Sequence, residues 1–146
     1  EPVELKVAED VEVDFLLIDT QGSLTKEMAQ FLFQSSLIIT PCRVSRDDIV
    51  GQGWIEVFLK QSNRDKKKAP ILTVLNGVNK RSSILSHVIE QLKEDGVQVA
   101  KTCISQRVCF AETNVNKISV IGYNKPATEE IVDLTNEALN LIKRGA

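Results

Sequence analysis

The stretch Val13-Asp14-Phe15-Leu16-Leu17-Ile18-Asp19-Thr20-Gln21-Gly22 is the one against which the rest of the chain is read. Phe15 to Ile18 form an unbroken apolar run of the kind that a parallel sheet buries on both faces. The run stops at a carboxylate, Asp19, and Gly22 follows after two polar residues. In open α/β sheets the ligand crevice lies beyond the carboxyl ends of the strands. An Asp there can hold Mg²⁺, directly or through water, beside the phosphates of a nucleotide. The glycine lets the next turn approach a phosphate, because no side chain intervenes. The plainer role for Asp19, closing a strand and opening a turn, is the commoner one for Asp in such a place.

Composition sets the class. The 146 residues are most simply one α/β domain, 1–146, long enough to bury a real core. Hydrophobic residues at 42% and charged residues at 26% exclude a disordered chain. A net charge of −2 means that any nucleic-acid contact has to come from local basic patches. No apolar run approaches the roughly 18 residues of a membrane span, and no signal-peptide pattern opens the chain. Cys42, Cys103 and Cys109 have no CxxC spacing, and His87 is the only histidine. Zinc is therefore disfavoured, and reduced thiols in the cytoplasm are expected.

Strand-like and helix-like segments alternate along the chain. Ser23 or Thr25 caps a helix through Lys26 to Gln34. Ser36 to Pro41 reads as a buried strand ended by the proline. Ser45 or Asp47 caps a helix to about Ser62, with Ile49, Val50, Trp54, Val57 and Phe58 on one face. Gly51 and Gly53 inside it suggest close packing or a flexible first turn, not a dinucleotide fingerprint. Ala69 to Asn76 is the next buried strand. A helix from Ser82 or Ser83 to Glu94 follows, carrying Ile84, Leu85, Val88, Ile89 and Leu92 and closed by Gly96. Val97 to Ile104 reads as a fourth strand, Gln106 to Thr113 as a short helix and Ile118 to Gly122 as extended chain. Pro126 opens a last helix lined by Ile131, Leu134, Ala138, Leu141 and Ile142. Such alternation means βαβ units, a mostly parallel sheet and helices on both faces.

In this order the segments resemble the carboxyl-terminal two-thirds of the ParA/MinD family of P-loop ATPases. DFLLIDTQG is similar to the family's second phosphate-site motif, an apolar strand ending DTPPG or DTxGG. SLIITPCRVSRDDIVGQGWIEVFLKQ resembles the following strand, its proline and the helix with an internal glycine. ILTVLNGVNKRSSILSHVIEQL resembles the strand that ends in a base-contacting Asn or Thr. TCISQRVCFAETNVNKISVIGYNKPATEEIVDLTNEAL resembles the closing segment with its R-V-x-F-A-E-like phrase. The resemblance runs from about Val13 to the end, and DTQG is closer to ParA-type partition and transfer proteins than to MinD. The family's KGGxGKT loop and its first strand are absent from residues 1–146, so an incomplete domain with upstream residues missing is the expectation.

The resemblance implies a bacterial cytoplasmic ATPase of plasmid or chromosome partition or DNA transfer, nucleoid- or plasmid-associated. ATP and Mg²⁺ would be its cofactors. Asp19 would hold Mg²⁺ through water and position water, Thr20, Gln21 and Gly22 would sense the γ-phosphate, and Asn76 would pair with the adenine edge. Pro41 and Arg43 would line the nucleotide or the partner subunit. The ATP-bound homodimer would bind DNA without sequence preference, with Lys67, Lys68, Lys80 and Arg81 as first candidates. A partner protein would stimulate hydrolysis, and no membrane would be involved. On the residues alone, Asn76 is as well explained as a turn residue before Gly77. Arg107 reads as a surface ion pair, and Cys42 as a small buried filler. Two other readings stay open: a catalytically inactive interaction module of the same fold, and a phospho-receiver with Asp19, Thr40 and Lys80 in the phosphorylation roles. The receiver lacks its acidic pair and its Lys-Pro.

Overall fold

A computed structural model describes residues 13–20, 25, 31–62 and 69–145. Its elements in chain order are β1 (Ile38–Cys42), α1 (Arg46–Ser62), β2 (Ile71–Val78), α2 (Ile84–Glu94), β3 (Ile104–Ser105), α3 (Val108–Val115) and α4 (Lys125–Gly145). Residues 31–34 are also helical, the end of the helix expected from Lys26; its earlier residues lie outside the described set.

The expected parallel sheet is present, in the order β1-β2-β3. β2 is its centre. On one side it pairs with β1, from Ile38 opposite Ile71 to Cys42 opposite Leu75. On the other side the Thr73 N–H donates to the Gln98 carbonyl at 2.9 Å, and the Ala100 N–H donates to the Thr73 carbonyl at 2.8 Å. A fourth strand over Val97 to Ile104 shrinks to this bridge at Val99 and the short β3.

Pro41 lies inside β1 and does not end it. The Ile38 N–H donates to the Pro70 carbonyl at 3.0 Å, so strand alternation turns the N–H groups of Thr40 and Cys42 toward β2 as well. The nitrogen of Pro41 therefore faces the edge that no described strand covers, where a missing N–H breaks no ladder bond.

Each sheet face has its own core. Cys42, Leu75, Val78, Val88, Leu92, Val97 and Cys103 cluster on the side of α1 and α2, with Ile49, Leu85 and Ile89 packed against them. Leu72, Val74, Ala100, Ile104 and Ala138 cluster on the other, beneath Phe110, Ile131, Leu134 and Leu141 of α3 and α4. Strict alternation would send Val78 to the face opposite Leu75, yet both sit in the first cluster. A register shift between Asn76 and Val78 makes the change, and Gly77, at φ +67°, turns the backbone through it.

Helix ends follow their residues. Ser45 Oγ accepts the Asp48 N–H at 3.2 Å, capping α1 as expected of it. Gly96, at φ +78°, closes α2 with the Gly96 N–H on the Lys93 carbonyl at 3.0 Å and the Val97 N–H on the Leu92 carbonyl at 2.9 Å. That pairing is a Schellman closure. Asn124 Oδ1 accepts the Ala127 N–H at 3.0 Å at the start of α4, with Pro126 in the first turn, where its missing N–H is harmless.

Three further expectations are corrected. Phe15 to Ile18 form no strand and are exposed, because no described strand lies alongside to take up their backbone groups. Among the described side chains of α1 the buried one is Gln52, while Val50, Trp54 and Val57 are exposed; a would-be side chain on Gly51 or Gly53 meets open space, so neither marks close packing. Residues 118–122 form no strand: the chain bends at Val120 and turns through Ile121 and Gly122, with Gly122 at φ +83°.

Gln52 is buried because it has a partner. Thr73 Oγ1 donates to Gln52 Oε1 at 3.1 Å, and Thr40 Oγ1 lies 3.0 Å from Thr73 Oγ1. A hydroxyl carries one proton, so Thr40 must donate to Thr73. The chain of hydroxyls ties β1, β2 and α1 through the centre of the first core. Thr73→Val keeps the volume and leaves the Gln52 oxygen without its donor, for an expected loss of about 1–3 kcal/mol. The check is a urea melt, with a lower midpoint at constant slope; an unchanged midpoint would show that the chain of hydroxyls contributes nothing net.

Candidate functional site

The carboxyl ends of β1 and β2 open on one side of the sheet, where an α/β protein places its ligand. At the end of β1, the Arg43 N–H donates to Asp48 Oδ2 at 2.9 Å, so the first turn of α1 holds the loop that leaves the strand. Cys42 beneath it is 1% exposed, and its Sγ lies 3.3 Å from the Arg43 carbonyl. Burial, and then the charge of Asp48, raise the Cys42 thiol to about 11. It stays protonated and packs as a small apolar side chain, the filler expected from the sequence.

At the end of β2, Asn76 is exposed, and among the described residues no hydrogen bond engages its carboxamide. The bend belongs to Gly77, at φ +67°, and Asn76 before it lies within β2. The Asn79 side chain accepts the Arg81 N–H at 3.1 Å, shaping the turn that carries Lys80 and Arg81.

Beside that turn lies the strongest electrostatic feature among the described residues. Glu130, in the second turn of α4, is 6% exposed. Its Oε1 accepts from Lys80 Nζ at 2.7 Å, Ser105 Oγ at 2.6 Å and Arg107 Nη2 at 3.0 Å, and its Oε2 from the Ser105 N–H at 3.0 Å. Two turns further along α4, Glu137 accepts the N–H groups of Lys101 at 2.8 Å and Thr102 at 3.2 Å. The two carboxylates, both on α4, thus receive the outward N–H groups of the segment leading through β3, and α4 closes that sheet edge. Arg107 is not the surface ion pair expected of it: its side chain is 30% exposed and its partner 8%.

Burial by itself would push the Glu130 carboxyl up, but the hydrogen bonds from Lys80, Ser105 and Arg107 outweigh it and hold the group at about 2, against an ordinary 4.5. Cys103, buried nearby, is raised by burial, with Lys80 opposing.

The other site residues fall apart. Asp19 and Thr20 are exposed on an irregular segment that shares no ladder with β1 or β2. Gln21, Gly22, Lys67 and Lys68 lie outside the described residues. Pro41 and Asn76 do come together at the same end of the sheet, since Cys42 pairs with Leu75. Arg81 and Lys80 are both exposed, and Lys80 is ion-paired with Glu130. The described residues contain no group of three or more His, Cys, Asp or Glu side chains that could hold a metal ion. The sequence signal for Glu130 is its place three residues after Ala127 and four before Leu134, on the buried stripe of α4.

No protein-family model matches the sequence, and neither does any curated protein. No helix among the described residues is long and apolar enough to cross a membrane.

The depressed Glu130 group links stability to pH. Its contribution is fully present above the ordinary carboxyl value of 4.5 and is lost as the pH falls from there through about 2. Chemical denaturation at a series of pH values should show Glu130→Gln less stable than wild type at neutral pH, with the difference closing below pH 4.5. A gap that stays constant over that window would mean that the carboxylate charge is not what matters.

Proposed function

We propose that the chain is an ATP-binding domain of the ParA/MinD type, which in its complete form dimerises on ATP with Mg²⁺ and acts in plasmid or chromosome partition or DNA transfer. The observation that carries the reading is the free carboxamide of Asn76 at the carboxyl end of the central strand. Asn76 stands at the place in the motif order where the family presents a base-contacting Asn or Thr, and a carboxamide can give and accept one hydrogen bond each at an adenine edge. Two further features agree with it. Among the described residues the β1 edge has room for another strand, and Phe15 to Ile18 are four apolar residues with no strand alongside. A P-loop strand next to β1 would provide both with a neighbour. Asp19 would then stand beside the phosphates.

Calorimetric titration of the full-length protein with ATP and Mg²⁺ tests the reading. Binding is expected, weakened about tenfold in Asn76→Ala for the loss of one directed pairing. Asp19→Ala should fold normally, since the residue is exposed, and should lose turnover. Equal turnover by wild type and Asp19→Ala at saturating Mg²⁺ would remove Asp19 from the site. Absence of any nucleotide binding would favour an interaction module that keeps the fold alone.

DNA binding forms part of the same proposal, with Lys67, Lys68, Lys80 and Arg81 as its first candidates. Neutralising Lys67 and Lys68 together should weaken binding alike on all duplex sequences. The log–log salt slope should flatten by about 0.9 for every phosphate that is no longer neutralised. A change of sequence preference at constant slope would count against a charge clamp.

A further inference from the structure

Among the described residues both ion pairs end on Glu130, and the cluster does not balance. Lys80 and Arg107 bring two positive charges to one carboxylate. The donors exceed the acceptors as well. Glu130 Oε1 already receives three donors and Oε2 one, Lys80 spends one of its N–H groups there, and Arg107 Nε is buried with no partner among the described residues. A cation drawn partly out of water without its own counter-charge is unfavourable, and so is a buried donor with no acceptor. The Lys80 side chain is 51% exposed, so the ammonium can be reached from solvent while its carboxylate partner cannot. The group stands beyond the carboxyl ends of β2 and β3, on the turn after β2 and at the start of α3.

We propose that Lys80 and Arg107 form an anion subsite for a phosphoryl group of a small ligand, with Glu130 and Ser105 holding the two cations in place. A phosphoryl group supplies the missing negative charge. Its several oxygens can accept from an ammonium and a guanidinium at once. Glu130 keeps its own bonds to Ser105 and lies behind the cations, so the anion meets the net positive charge of the cluster and not the carboxylate. The subsite is separate from Asp19 and does not rest on the nucleotide reading.

The experiment is an NMR titration of the ¹⁵N-labelled full chain with inorganic phosphate, against chloride at matched ionic strength. Phosphate should produce saturable shifts of the Arg107 Nε–H signal and of the Ser105 and Gln106 amides; chloride should not. Lys80→Ala is expected to weaken binding at least about tenfold, while Lys80→Arg retains it and Lys125→Ala, at an exposed lysine on α4, changes nothing. Lys80→Ala leaves Glu130 its bonds to Ser105 and Arg107, and an unchanged amide spectrum elsewhere confirms that it folds. Repeating the titration with AMP and with ATP shows whether the phosphoryl group arrives on a nucleotide. Shifts that fail to saturate, equal shifts with chloride, or wild-type affinity in Lys80→Ala would each overturn the proposal.

Discussion

Both sides of β2 are hydrogen-bonded and both of its faces are covered, and this double constraint organises the molecule. Leu72 and Leu75 are fully buried on opposite faces, so helices must pack above and below the strand at once. Thr73 sits between them with its backbone bonded to residues 98–100 and its hydroxyl in the chain from Thr40 to Gln52. A polar residue survives there because every polar atom it brings has a partner. The same chain explains why α1 turns Gln52 inward and leaves Trp54 outside. Trp54, two residues on and so on the opposite side of the helix, is 64% exposed.

Sheet edges are handled unequally among the described residues. On the β3 side, α4 contributes Glu130 and Glu137 to the outward N–H groups, so the edge is closed by carboxylates where no further described strand pairs with it. On the β1 side Pro41 is the described residue that blunts the row of donors, and Ile39 stays half exposed. One edge is finished by α4; the other can accept a neighbour. That asymmetry places Lys80 and Arg107, beside the exposed Asn76, on a rigid base, since their supports run back to the closed edge through Ser105 and Glu130.

What the sequence determined by itself is the parallel α/β alternation, because buried runs such as Ile71–Leu75 and amphipathic stripes such as Val88–Leu92 are local patterns with a fixed period. The Gly96 closure of α2 and the Ser45 cap of α1 were equally local and equally legible. Tertiary structure alone decided the rest. Phe15 to Ile18 have the composition of a central strand, but a strand exists only with a neighbour to bond, and that depends on what lies alongside in space. Val78 changed face through the bend at Gly77, which alternation could not anticipate. Glu130 sat in plain view on an apolar stripe, yet its meaning required Lys80, Ser105 and Arg107, which come from other segments of the chain. Period and capping are written in neighbouring residues; the partners of a buried charge are not, because they are chosen by the way distant segments pack.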